Sequence, residues 1–234
     1  MRVAERPYVL LSAAVSVDGY IDDASGERLC LSGAADLDRV DEIRAGCDAI
    51  LVGAQTIRRD NPRLLVRSPA RRAARLARGL TASPVKVTLT RTGDLDPASS
   101  FFTTGDAARL VYAASGAADG ARIRLAGAAT IIDAGEPASL DAVLADLAAR
   151  GIGRLMVEGG TAVLTQFLAA GAADELQLAI APFFVGDADA PRFVGAAAFP
   201  HGPGHPMELA EARPVGDVVL LRYLLGGPAS GSAE

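Results

Sequence analysis

Tryptophan is missing from this chain and lysine is nearly so, Lys86 being the only lysine among 23 basic residues. A single lysine excludes a Gly-x-x-x-x-Gly-Lys phosphate loop and leaves one candidate for Schiff-base chemistry. Ser83-Pro-Val-Lys86 does match Ser-x-x-Lys, but that motif's companions are absent and Lys86 sits in a strand pattern. The two cysteines, Cys30 and Cys47, form neither a disulfide framework nor a Cys-x-x-Cys, which fits a reducing, cytoplasmic setting. The two histidines, His201 and His205, share a Gly/Pro loop. Pro203 and Pro206 oppose helical i, i+4 ligand geometry there, so no metal site is expected. No apolar run approaches the ~20 residues of a membrane helix. Tyr8–Val17 follows Arg2 and Arg6 as a signal peptide's core would, but it is short and closes at Asp18-Gly19, as a buried first strand does. The net charge of −5 gives the chain as a whole no attraction for nucleic acid or an anionic membrane. An anionic ligand would need a local basic site.

What is present suits one α/β domain. The chain is half hydrophobic over 234 residues, enough to bury a sizeable core. An ordered core over about residues 7–225 and a disordered tail over 226–234 are expected. Apolar runs at 8–17, 49–52, 85–89, 109–112, 130–132 and 155–157 alternate with helical spacing or loops. A strand is expected over 174–184, and residues 208–213 and 218–225 suggest a closing antiparallel pair. That order implies a central, mostly parallel mixed sheet flanked by helices, with an antiparallel C-terminal edge.

The stretch Gly153-Arg-Leu-Met-Val-Glu-Gly-Gly-Thr161 organises the rest. Helical spacing on both sides of Leu155–Val157 predicts helix, strand, sharp turn, helix. Gly159 and Gly160 permit positive φ and close approach of a ligand. The following helix begins, at Thr161, with free N–H groups and the positive end of its dipole. This is a phosphate cradle with Glu158 at its lip, or else an ordinary strand–helix turn.

Other polar groups gather near predicted strand ends, where open α/β sheets take ligands. Thr56, Asp60 and Asn61 follow the strand at 49–52. Thr90 and Arg91 follow the one at 85–89, where Arg91 is either a phosphate contact or a surface arginine. Ser32 is placed to cap a helix over 36–45 that Gly46 stops. Arg44 in that helix either points to the sheet edge or complements the helix C-terminus. Residues 68–83 hold Arg71, Arg72, Arg75 and Arg78 with little apolar periodicity. A solvated helix or loop is expected there, the alternative being a nucleic-acid contact without interleaved aromatics.

Three stretches together resemble a known family. They are Val15-Ser-Val-Asp-Gly19, then Arg44 to Gly53 running on to Thr56, Asp60-Asn-Pro62, Leu64 and Arg67, and last Glu158-Gly-Gly160 with Asp174-Glu-Leu176. They are similar to the reductase domain of riboflavin biosynthesis, which has the dihydrofolate-reductase fold. The resemblance runs from about Pro7 to Leu225 and implies an NADPH-dependent reductase, usually a homodimer, acting on a phosphoribosylaminopyrimidine. It implies that Val15, Thr56, Asp60, Thr90, Arg91, Glu158, Gly159, Gly160 and Thr161 bind the cofactor. Arg28, Cys30, Arg44, Leu64, Arg67 and Glu158 would face the substrate, the arginines at 44 and 67 near its 5′-phosphate. Glu158 or Asp60 would be the catalytic acid. The zinc signatures of the family's deaminase partner do not occur in the sequence, so a standalone reductase is expected. Ser12 stands where many bacterial members have lysine. Arg28 and Cys30 replace their small polar and aromatic pair. The alternatives are a reductase of another pterin-like heterocycle on the same fold and a non-catalytic nucleotide-binding module.

Overall fold

The computed structural model describes residues 6–25 and 29–226. Arg28 and the tail from residue 227, where disorder was expected, lie outside the described residues. Sixteen elements follow in order: β1 (Tyr8–Val15), α1 (Ala34–Ala45), β2 (Ala49–Gly53), α2 (Ala54–Asp60), α3 (Pro69–Ala77), β3 (Val85–Thr90), α4 (Ser100–Thr103), β4 (Arg109–Ala113), α5 (Ser115–Arg124), β5 (Thr130–Asp133), α6 (Leu140–Ala149), β6 (Arg154–Gly159), α7 (Thr161–Ala169), β7 (Glu175–Ile180), β8 (Glu208–Val215) and β9 (Val218–Leu224). The strands form one sheet in the order β5-β4-β3-β2-β6-β1-β7-β9-β8. Pairing is parallel throughout except that β9 runs antiparallel to β7 and β8. This is the mixed α/β sheet expected from the order of elements.

Alternation along the strands divides the core in two. Val9, Leu11, Leu51, Leu155 and Val157 face one way, against Leu144 and Leu147 of α6 and Leu164 and Phe167 of α7. Leu10, Ile50, Val52 and Met156 face the other way, with Ile57 of α2 and Phe101 and Phe102 of α4. Because β2, β3, β6 and β1 run parallel, their carboxyl ends meet along one rim. The first turns of α2 and α7 begin there.

Several expectations need correction. Ser32 does not cap α1: Gly33 occupies the N-cap position, and the Ser32 hydroxyl donates to the Asp36 carboxylate at 2.5 Å. The strand expected over 174–184 stops at Ile180. Residues 68–83 do contain a helix, capped by the Ser68 side chain, but it is not simply solvated. Arg75 is 3% exposed and donates to the carbonyls of Ala45 (2.9 Å), Cys47 (2.8 Å) and Thr81 (2.9 Å). It satisfies carbonyls left over at the end of α1 and just after it.

Lys86 is fully buried and donates to the carbonyls of Phe101 at 2.9 Å and Thr104 at 2.7 Å. Burial, aided by the charge of Arg109, lowers its pKa to about 8. Below that pH the native state carries a buried charge that the unfolded chain carries in water. Between about 8 and the unfolded value of 10.5 the unfolded state binds more protons, so stability from this group rises with pH, by at most about 1.4 kcal/mol per unit. The checking measurement is urea denaturation at pH 8 and pH 10. The wild type should gain stability relative to Lys86→Met over that range, and a constant difference between the two proteins would contradict the assignment.

Candidate active site

The centre of the site is a defect in the ladder between β2 and β6. Leu51 pairs with Val157, but the next residue, Val52, pairs with Gly159. Glu158 is the extra residue, and a bulge of this kind re-aims a side chain beside a binding site. Its carboxylate accepts from Arg44 of α1 through Nε and Nη2, both at 2.5 Å. Each side chain is 13% exposed. Burial alone would lower the Arg44 pKa, but the charge and hydrogen bonds of Glu158 outweigh it and hold the guanidinium above its ordinary range. Arg44 Nη1 also donates to the Leu65 carbonyl at 3.3 Å. Of the two readings of Arg44, the one that points it at the sheet is correct.

Gly159 and Gly160 have φ of +128° and +80°. A Cβ on Gly160 would lie 3.0 Å from Thr56 Oγ1, so α2 and the turn are in contact only because Gly160 lacks a side chain. No side chain caps α7, and its first amides stay available to an anion. The Thr161 hydroxyl is engaged elsewhere, donating to the Arg192 carbonyl at 2.5 Å.

These features border a cleft of about 1070 Å³ that crosses the carboxyl ends of the strands. Of the expected cofactor residues, Thr56, Asp60, Thr90 and Arg91 line it, together with the whole of Glu158–Thr161. Val15 does not; it is 4% exposed. Of the expected substrate residues, Cys30 and Glu158 line the cleft. Arg44 stands behind Glu158. Leu64, with φ of +49°, is packed in the core against the α2 and α4 side of the sheet. Arg67, an exposed residue, borders a second hollow of about 380 Å³, bounded also by Ala34, Leu37, Asp38, Asp41 and Ser68. Leu37 borders both spaces. The Arg67 amide donates to Asp41, as does that of Ser68 at 3.1 Å. Asp41 also meets Arg71 at 3.0 Å.

Sequence reasoning missed the far wall of the cleft. Leu89, Tyr112, Pro137, Leu140 and Val143 provide an apolar surface there, and Tyr112 is anchored by donating to Asp146 at 2.6 Å. Leu140 and Val143 carried a helical period, which marks a buried face without separating core from cleft. Pro191 and Gly195 of the stretch after β7 also line the cleft, and nothing in their Gly/Pro context pointed there. Among the described residues no group of three potential metal ligands is found, and no helix is long and apolar enough to cross a membrane.

A cleft across the parallel strand ends, with an antiparallel closing hairpin, defines an α/β protein of the dihydrofolate-reductase-like class. The dihydrofolate reductase of Enterococcus faecalis, solved with NADP(H), superposes with a TM-score of 0.50 at 14% identity, over 93% of this chain and 95% of that one. The chain belongs to the RibD C-terminal domain family, whose model matches residues 7–221. It is 34% identical over 225 residues, 95% of this chain and 100% of the relative, to the 2,5-diamino-6-ribosylamino-4(3H)-pyrimidinone 5′-phosphate reductase of Methanothermobacter thermautotrophicus. Among solved structures, a pyrimidine reductase-like protein from Corynebacterium diphtheriae has a TM-score of 0.80 at 24% identity, covering 95% of this chain and 93% of that one.

Proposed function

We propose that this chain is an NADPH-dependent reductase of riboflavin biosynthesis. Its substrate would be a phosphoribosylaminopyrimidine, reduced at C1 of the ribose in its open-chain imine form to give a ribitylamino product. The observation that carries this reading is the corner at Glu158–Thr161. A glycine turn and an uncapped helix open onto the same cleft as a carboxylate fixed by an arginine. The activity named for the 34% identical archaeal relative supports the substrate class.

The residues fit the cofactor. Gly159, Gly160 and the first amides of α7 would take the bridging phosphates, and the apolar wall at Leu89, Pro137 and Val143 would take a flat ring. Bound NADPH would supply the hydride. The chain supplies position, exclusion of water and proton control. Glu158, both of whose oxygens are held by Arg44, would orient the sugar of the reacting imine with a carboxylate fixed in place. Asp60, at the end of α2 and on the same cleft wall, is assigned to proton transfer. Asp60→Asn should then lower kcat by about 100-fold or more. Steady-state assays of Asp60→Asn and Glu158→Gln separate the roles, and wild-type turnover in both variants would remove either carboxylate from the chemistry.

Arg91, exposed at the end of β3, is assigned to the 2′-phosphate, which a guanidinium recognises through paired N–H groups. Arg91→Ala should reduce the preference for NADPH over NADH by about tenfold, since a charged hydrogen bond is worth roughly 1.5–3 kcal/mol. An unchanged ratio of kcat/KM values for the two coenzymes would cancel that role. Cys30 on the cleft wall keeps a second heterocycle in play. Parallel turnover assays with the phosphoribosylaminopyrimidine and a dihydropteridine decide between them.

A further inference from the structure

Residues 190–195 cross the rim of the cleft between two parts of the molecule that are far apart in sequence. On one side they pair with the loop that follows β1. The Ile21 amide donates to the Pro191 carbonyl and the Phe193 amide to the Gly19 carbonyl, each at 2.9 Å. Tyr20 forms an antiparallel bridge with Arg192. The Arg192 guanidinium lies 4.5 Å from the centroid of the Tyr20 ring and donates to its hydroxyl at 2.9 Å. On the other side the segment is tied to the first turns of α7. Thr161 Oγ1 donates to the Arg192 carbonyl at 2.5 Å, and the Gly195 amide donates to Thr165 Oγ1 at 2.8 Å. Pro191 and Gly195 line the cleft, as do Ile21, Thr161 and Thr165.

A hydroxyl at the first position of an uncapped helix would ordinarily be available to a bound phosphate. Here it is committed to the backbone of another segment, so Thr161 can offer an anion its amide alone, beside the other first amides of α7. We propose that residues 190–195 form a strap, and that Thr161 and Tyr20 are positioning residues that use it to fix the loop after β1 relative to the glycine turn. The inference rests on the reductase reading for its kinetic part alone. A cleft whose two ends must hold a cofactor phosphate and a reacting centre in one geometry gains rate from a fixed spacing between them. Thr161 acts on the reaction through the strap.

The test compares Thr161→Val with Thr161→Ser in the full chain, using amide hydrogen exchange and steady-state kinetics. Loss of one hydrogen bond should speed exchange at Ile21 and Phe193 about fivefold or more in Thr161→Val, with strand amides such as Leu110 unchanged. Thr161→Ser should restore the wild-type rates. In the same variant kcat should fall and KM for the pyrimidine substrate rise, each about fivefold, while the Kd for NADPH moves less than about threefold because the backbone amides are kept. Thr165→Val removes the strap's second anchor and should loosen Phe193 in the same way, which covers the case that Thr161→Val does not fold. Unchanged exchange at Ile21 and Phe193 overturns the strap. Faster exchange with unaltered kinetics overturns the positioning role. A weakened NADPH Kd with unchanged exchange means that the hydroxyl binds cofactor directly, and it also overturns the proposal. A wild type without turnover sinks the reductase reading, and the exchange result then decides the strap by itself.

Discussion

Arg44→Met is expected to lower the free energy of unfolding by about 3 kcal/mol, the lower end of the effect of deleting one partner of a buried ion pair, since this pair is partly buried. The Glu158 carboxylate, 13% exposed, would lose both of its strong donors. The Leu65 carbonyl would lose Nη1 as well. Arg44→Met/Glu158→Gln should recover a large part of the loss, because no uncompensated charge then remains. Urea denaturation of the two single variants and the double variant measures the coupling directly. A loss below about 1 kcal/mol in Arg44→Met would mean that the corner is held by packing, and that the pair belongs with surface bridges of little weight. The bulge at Glu158 makes the larger outcome the expected one. The irregular ladder gives that residue no regular backbone partner in β2, so the side-chain bonds do more of the holding.

Gly160→Ala is expected to raise the Kd for NADPH at least tenfold. At φ +80° and ψ 132° the backbone lies where only glycine is at ease, and an L-residue there costs about 1–3 kcal/mol. The new Cβ would also lie 3.0 Å from Thr56 Oγ1, so that hydroxyl or the turn must shift by a few tenths of an ångström. Gly120→Ala is the matched control. Gly120 lies within α5 with open space where a Cβ would go, so alanine should stabilise the helix by roughly 0.5–1 kcal/mol. Fluorescence titration with NADPH and a thermal melt on each variant distinguish the two cases. Wild-type affinity in Gly160→Ala would remove the turn from the phosphate site.

The sequence made the alternation of strands and helices legible because the apolar runs are short and sharply bounded. The strand at 49–52 and the closing pair at the C-terminus appear within a residue or two of expectation. The strand–turn–helix around Gly159 and Gly160 was legible too, since two adjacent glycines mark the break between a short apolar run and a helical period. What stayed hidden had physical reasons. Helix α5, Ser-Gly-Ala-Ala-Asp-Gly-Ala-Arg-Ile-Arg, buries Ala118 and Ala121, and alanine marks no face by hydropathy. Helix α2 begins immediately after β2 and spans only seven residues, too few for a helical period to show. Arg75 was hidden by its neighbours, since an arginine that satisfies leftover carbonyls looks like any other in an Arg/Ala-rich segment. Leu64 and Arg67 sit three residues apart in a motif, but Leu64 packs in the core while Arg67 borders a second hollow outside the cleft.

The place of β6 in the sheet has a consequence for how the chain is made. It lies between β1 and β2, which end at residues 15 and 53, whereas β6 begins only at residue 154. Until then the nascent polypeptide holds an open slot flanked by two unsatisfied, apolar borders, and its middle can close only when the last third emerges. Ribosome-bound intermediates stalled before residue 154 should therefore bind chaperones and resist compaction. The carboxylate that β6 delivers reaches Arg44 only at that final insertion, so the site and the centre of the sheet come into being together.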